Sequence, residues 1–180
     1  MQLIPRAADA IRLLREAGYA CVLVTNQSAI GRGLLTTEGF QRVHEELVRQ
    51  LRDCGAELDG MYFCPVVPVE DAGTLAGHPE RKPQPGMLLR AAREMRLQLG
   101  GSWMVGDMLT DALAGRKAGC RGTILVKTGR EVAPMQSDGI VDHVVESVFH
   151  AARLIVELDG STNAVGRTTD SVVTSEQRKQ

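Results

Sequence analysis

Two carboxylates stand four residues apart in the stretch "WMVGDMLTDALAG": Asp107 ends an apolar run and Asp111 opens a helical one. An unpaired carboxylate is expensive to bury, so acids in this setting point to a charged partner, often a metal ion. Asp107 can offer a hard oxygen to Mg²⁺, and Asp111, one helical turn on, can hold metal waters or orient a cation. The plainer alternative is a helix N-cap beside a solvated acid. Two other stretches supply complementary groups. In "VTNQSAIGRG", Thr25 carries a hydroxyl donor, Asn26 and Gln27 carry backbone N–H groups, and Gly31 and Gly33 permit positive φ beside Arg32. In "HPERKPQPGM", prolines follow Lys82 closely and stiffen its segment, although Arg81-Lys82 taken alone reads as a solvent-exposed pair. Donor, cation and metal-binding acid together suit magnesium-dependent phosphoryl transfer, in which positioning and charge neutralisation do most of the catalysis. No G-x-x-x-x-G-K-[ST] loop occurs, which argues against a P-loop kinase or ATPase.

The elements that must hold these groups follow from periodicity. Ile4, Ala8, Ile11 and Leu14 recur at helical spacing, with Pro5 suited to a first turn and Gly18 to a stop. "YACVLVTN", "GMYFC", "SWMVGD" and "GTILVKT" are short, continuous apolar runs, the signature of strands covered on both faces. Helices alternate with them: one capped by Thr37 with a stripe of Phe40, Val43, Leu47 and Leu51, one carrying Leu88, Ala92 and Met95, one over about 110–118, and a last one at "VFHAARLIVEL". The pattern predicts an α/β, Rossmann-like fold, a parallel sheet between helices, with ligands beyond the carboxyl ends of the strands. The long loop Pro65 to Gly86 exceeds what a connector needs.

Composition narrows the function. The chain has 180 residues, 43% hydrophobic but only 3% aromatic, so its core must be aliphatic. Its net charge of −1 gives no footprint for nucleic acid or an anionic membrane. Cys21, Cys54, Cys64 and Cys120 form no C-x-x-C pair and read as reduced thiols of a cytoplasmic protein. The N-terminal stretch resembles neither a signal peptide nor a membrane span. Residues 1–158 are expected to form one domain, and the Ser-, Thr- and Gly-rich 159–180 a disordered tail. His44, His143 and His150 read as surface or satisfied histidines, and Trp103 as packing.

The three stretches, in order, resemble motifs of the haloacid dehalogenase (HAD) superfamily, in the branch of the histidinol-phosphate and heptose-bisphosphate phosphatases. "VTNQSAIGRG" is similar to the second motif, "RKPQPGMLLRAA" to the third and "SWMVGDMLTDALAGRKAGC" to the fourth. The resemblance implies a phosphomonoester hydrolase of carbohydrate metabolism that acts on a small phosphorylated metabolite. It implies that Thr25 and Asn26 bind the phosphoryl group and Lys82 stabilises it, with Gln27, Ser28 and Arg81 among the substrate-binding residues. Asp107 then ligates Mg²⁺ with Asp111 in indirect support.

Two departures stand out. Relatives place a zinc in the loop matching Cys64 to Glu80, but here the four positions read Cys64, Val66, His78 and Glu80. With Cys64 and His78 as the best remaining ligands, zinc is not expected. The family's first motif, D-x-D-G, supplies the aspartate nucleophile and a central strand, and no such motif occurs in these 180 residues. Only Met1 to Pro5 precede the first helix, so the motif is expected in sequence upstream of this start, and the chain alone is expected to be inactive. The alternative is a non-catalytic phosphate- or partner-binding form of the fold. Without its central strand the sheet faces a gap of roughly 10 Å, two strand spacings, lined by unpaired backbone groups. Flanking strands moving together, another chain, or an upstream segment are the three expected ways to close it.

Overall fold

The computed structural model describes residues 2–67, 78–128 and 139–160, together with the backbone of 170–174. In chain order the elements are α1 (Ala7–Glu16), β1 (Ala20–Asn26), α2 (Ser28–Gly31), α3 (Thr37–Asp53), β2 (Gly60–Cys64) and α4 (Gly86–Met95), then β3 (Gln98–Gly106), α5 (Leu109–Ala118), β4 (Gly122–Val126), β5 (His143–Val145), α6 (Val148–Gly160) and β6 (Asp170–Thr174). The strands form one sheet in the order β2-β1-β6-β3-β4-β5. Every pairing is parallel. This is the α/β, Rossmann-like architecture that the alternating pattern predicts.

Helices cover both faces, which is why the strands are apolar at consecutive positions rather than at alternate ones. Successive side chains leave a strand on opposite sides. On β1, Cys21 joins the core under α1 and α6 with Leu14, Ala152 and Ile155, while Val22 and Val24 join the core under α4 with Met87, Leu88 and Ala91. On β3, Trp103 and Val105 face the first core and Met104 the second. Three of the four cysteines are buried and Cys54 is exposed; among the described residues all are free thiols. No helix among the described residues is long and apolar enough to cross a membrane.

Local chemistry moves some boundaries. Thr36, not Thr37, caps α3: its backbone is extended and its Oγ1 accepts the Gly39 N–H at 3.0 Å. The sequence offers two adjacent threonines, and only the geometry chooses between them. Pro5 lies in an entry turn before α1, which starts at Ala7 after a left-handed Arg6 (φ 63°). Gly33 adopts positive φ (70°) as anticipated, whereas Gly31 does not and instead closes the short helix α2.

The largest difference concerns the tail. Asp159 and Gly160 belong to α6, and Asp170 to Thr174 form a strand at the centre of the sheet, between β1 and β3. The rest of 159–180 lies outside the described residues. The gap is thus closed in a fourth way, by the chain's own C-terminal segment. Composition misses it because a five-residue strand inserted between two others is held by backbone pairing, which needs little apolar sequence.

Candidate functional site

The ends of β1, β2 and β3 and the loop before α4 meet at the carboxyl edge of the sheet. β1 arrives first. Thr25 is buried, and its Oγ1 accepts from the Gln27 side chain at 3.2 Å. Asn26 does something the sequence does not reveal: its carboxamide grips the backbone of Lys82, with Nδ2 donating to the Lys82 carbonyl at 3.0 Å and Oδ1 accepting the Lys82 N–H at 3.1 Å. This paired bond fastens the 78–86 loop to the tip of β1. The Gln27 backbone N–H, expected to face a phosphate, instead donates to the Cys64 carbonyl at 2.7 Å. Parallel pairing with β2 claims that donor, while the Gln27 side chain is turned to Thr25. Ser28 begins α2 and is half-buried.

Lys82 is the centre of the arrangement. Its side chain is fully buried, and Nζ lies 2.9 Å from the Val24 carbonyl and 2.8 Å from Asp111 Oδ1. A solvent-exposed Arg81-Lys82 pair is therefore not what forms. The loop folds back on itself through Gly86 N–H to the Pro79 carbonyl (2.9 Å) and Arg81 N–H to the His78 carbonyl (2.8 Å), which turns Lys82 inward. Burial pushes the Lys82 ammonium below the ordinary lysine range, and the carboxylates of Asp111 and then Asp107 oppose that shift. Arg81 is half-buried, donates to the Val66 carbonyl at 2.6 Å, and is lowered by burial and by the nearby Arg32.

Asp111 answers the question posed by its spacing. It is almost fully buried, and Oδ2 accepts the Met108 N–H at 3.0 Å across the start of α5 while Oδ1 receives Lys82. The acid is both a helix cap and the counterion of a buried cation. Such closeness to β3 requires Gly106: a Cβ there would lie 2.5 Å from the Asp111 Cβ. Asp107 continues directly from β3, is 8% exposed, and acts electrostatically on Lys82.

Lys82, Asp107 and Asp111 are thus gathered at one edge, and Thr25 lies between Val24 and Asn26, the two β1 residues that bond Lys82. Fit to a metal is uneven. Asp107 supplies one hard oxygen of the kind Mg²⁺ takes, and Mg²⁺ commonly completes its shell with waters and phosphate oxygens. Each Asp111 oxygen receives one protein donor, Lys82 Nζ on Oδ1 and the Met108 N–H on Oδ2. Among the described residues no group of three or more His, Cys, Asp and Glu side chains could hold a metal ion. At the other candidate position, Cys64 Sγ lies 3.8 Å from His78 Nδ1, which is also 3.3 Å from the Glu80 N–H, and the Glu80 carboxylate pairs with Arg90. That leaves two side chains where a structural zinc takes four.

Known proteins resemble this chain in sequence and in fold. Residues 80–151 match the HAD-hydrolase-like family model. The chain is 40% identical over 157 residues to the D-glycero-β-D-manno-heptose-1,7-bisphosphate 7-phosphatase of Pasteurella multocida (strain Pm70), covering 86% of this chain and 83% of that one. It is 42% identical over 158 residues to the protein of the same name from Yersinia pestis, covering 86% and 82%. Among solved structures, the D,D-heptose 1,7-bisphosphate phosphatase of B. bronchiseptica, complexed with magnesium and phosphate, aligns with a TM-score of 0.75 at 32% identity, covering 86% of this chain and 84% of that one. On these grounds, joined to the fold and to the ordered motifs, the chain belongs to the HAD-like hydrolases, in the family of the heptose-bisphosphate phosphatases.

Proposed function

We propose that this chain is the phosphate-gripping domain of a heptose-bisphosphate phosphatase lineage, and that these 180 residues bind a phosphorylated sugar without turning it over. The observation that carries the first half is the buried Lys82, held between the Val24 carbonyl and Asp111 beside Thr25 and Asp107. Holding an ammonium out of water costs several kcal/mol, the order of an ion's effective desolvation penalty. A cation kept there at such cost, with its counterion fixed by α5, is suited to neutralising an anion at the carboxyl edge of the sheet. In this reading Thr25 donates its hydroxyl to a phosphate oxygen and Lys82 neutralises the group. Asn26 and Asp111 position Lys82, Arg81 and Ser28 lie at the rim, and Asp107 offers the oxygen for Mg²⁺. When bound, the ion neutralises phosphate charge. The relatives, heptose-1,7-bisphosphate 7-phosphatases, favour a heptose 1,7-bisphosphate as ligand.

The second half rests on chemistry that the chain lacks. Covalent hydrolysis needs a carboxylate that attacks phosphorus as the bond to the sugar oxygen breaks, and an acid that protonates that oxygen. No D-x-D-G motif occurs in the sequence, and the central strand position is taken by β6. Asp111 is committed to Lys82 and Met108, and Asp107 acts electrostatically on Lys82 beside it.

The test is calorimetry with inorganic phosphate and Mg²⁺, run beside a phosphomonoester turnover assay on the same protein. The proposal predicts saturable phosphate binding that Thr25→Val weakens, and no Mg²⁺-dependent turnover. Absence of phosphate binding overturns the first half; robust turnover by the purified 180-residue chain overturns the second.

A further inference from the structure

The sheet is completed at its centre by the segment that comes last in the chain. β6 pairs in parallel with Ala20–Leu23 on one side and with Gln98 and Trp103–Val105 on the other. It is five residues long between strands of seven and nine. Against β3 the register slips between Gln98 and Trp103, whereas against β1 it runs unbroken from Ala20 to Leu23. Its last residue, Thr174, stands opposite Leu23 and Val105, two residues short of Thr25 and Asp107. In chain order β6 follows α6 and neither of its neighbours in the sheet. Nine residues separate it from α6, and they can span about 30 Å when extended.

Backbone pairing recognises direction and spacing rather than side chains, which is how extended peptides add to sheets in other proteins. We propose that the groove between β1 and β3 is a strand-acceptor site, and that Asp170–Thr174 is an exchangeable occupant that the groove also takes in trans, as a parallel extended peptide of the same sequence. The inference stands on sheet topology and does not depend on the phosphate reading.

Two features favour exchange. The body on either side of the groove is packed without β6: β1 is paired with β2 along Val22 to Asn26, and β3 with β4 along Trp103 to Gly106. The tether, rather than a hairpin, supplies the occupant. A short tether gives an effective concentration in the millimolar range, so an added peptide competes poorly until the resident strand is weakened.

Proline at a central strand position removes a ladder donor, so Val172→Pro should eject the resident strand. The experiment uses the full chain and a fluorescein-labelled peptide of residues 168–176, followed by anisotropy. The proposal predicts at least tenfold tighter binding to the V172P chain than to the parent, competed by unlabelled peptide but not by a peptide carrying the same V172P change. Equal binding to both chains, or binding to neither, overturns it. Hydrogen exchange on the unmodified chain decides the case if V172P fails to fold. There the β6 amides should exchange at least tenfold faster than those pairing β3 with β4, because the strand opens separately. A single shared rate overturns the proposal.

Discussion

Removing the ammonium of Lys82 puts the most weight on the interactions described above. The side chains of Lys82 and Asp111 are 0% and 2% exposed and 2.8 Å apart, so neither charge is relieved by water. Lys82→Met keeps the aliphatic stem but strips the bonds to Asp111 and to the Val24 carbonyl, and leaves a carboxylate buried beside α5. Breaking one side of a buried pair costs about 3–5 kcal/mol, a large part of the ~5–15 kcal/mol that stabilises a domain. Asp111→Asn should fall in the same range, since it strands the cation and weakens the bond to the Met108 N–H. The double variant removes both charges together, and its cost should be smaller than the sum of the singles by about 2 kcal/mol or more. Urea unfolding followed by circular dichroism measures this. With a slope of about 2 kcal/mol/M, each single change lowers the midpoint by about 1.5–2.5 M while the slope stays constant. Should a single variant fail to fold, recovery of a cooperative transition in the double variant carries the same information. Two singles that each cost under about 1 kcal/mol and add without coupling would place Lys82 in solvated surroundings, and the reasoning would fail.

Two further outcomes follow from the same structure. Asp142 ties β5 to β4 and α5: burial raises its pKa, but the Thr123 N–H at 2.7 Å and Arg116 at 2.5 Å outweigh burial and hold the carboxyl below its ordinary value. A lowered folded-state value contributes stability above the unfolded pKa and loses it as pH falls through the folded one. Asp142→Asn should therefore cost about 1–2 kcal/mol at pH 7, after allowance for partial exposure, with the gap closing as pH falls below the ordinary aspartate range in thermal unfolding. A gap that persists at low pH contradicts this. Among the thiols, burial pushes Cys21 and Cys120 up to about 12, and Cys64 is buried, while Cys54 is exposed. An aromatic disulfide reagent at pH 8 should label one thiol quickly and the rest only on unfolding; rapid labelling of two or more contradicts the packing.

Much of the site was readable because its parts are local. Thr25 and Asp107 each end a continuous apolar run, and parallel strands covered on both faces put such ends on one edge. What escaped is what depends on distant partners. Nothing adjacent in sequence distinguishes a buried Lys82 from a surface one; its burial is decided by the Asn26 carboxamide, 56 residues away, and by Asp111. The Val24 carbonyl carries no side-chain signal at all. The commitment of the Gln27 N–H to Cys64 follows from strand order, which periodicity does not give. β6 escaped for a similar reason: "DSVVT" has two apolar residues among polar ones, and only the slot between β1 and β3 makes it a strand.

The central claim is that Thr25, Lys82 and Asp107 close on a single phosphate. A crystal structure of the full chain soaked with phosphate and Mg²⁺ tests it most directly. The account predicts phosphate oxygens within hydrogen-bond reach, about 3 Å, of both Thr25 Oγ1 and Lys82 Nζ, with the ion on Asp107. Phosphate bound elsewhere, or an edge that stays closed by the Lys82–Asp111 pair at saturating phosphate, would contradict it.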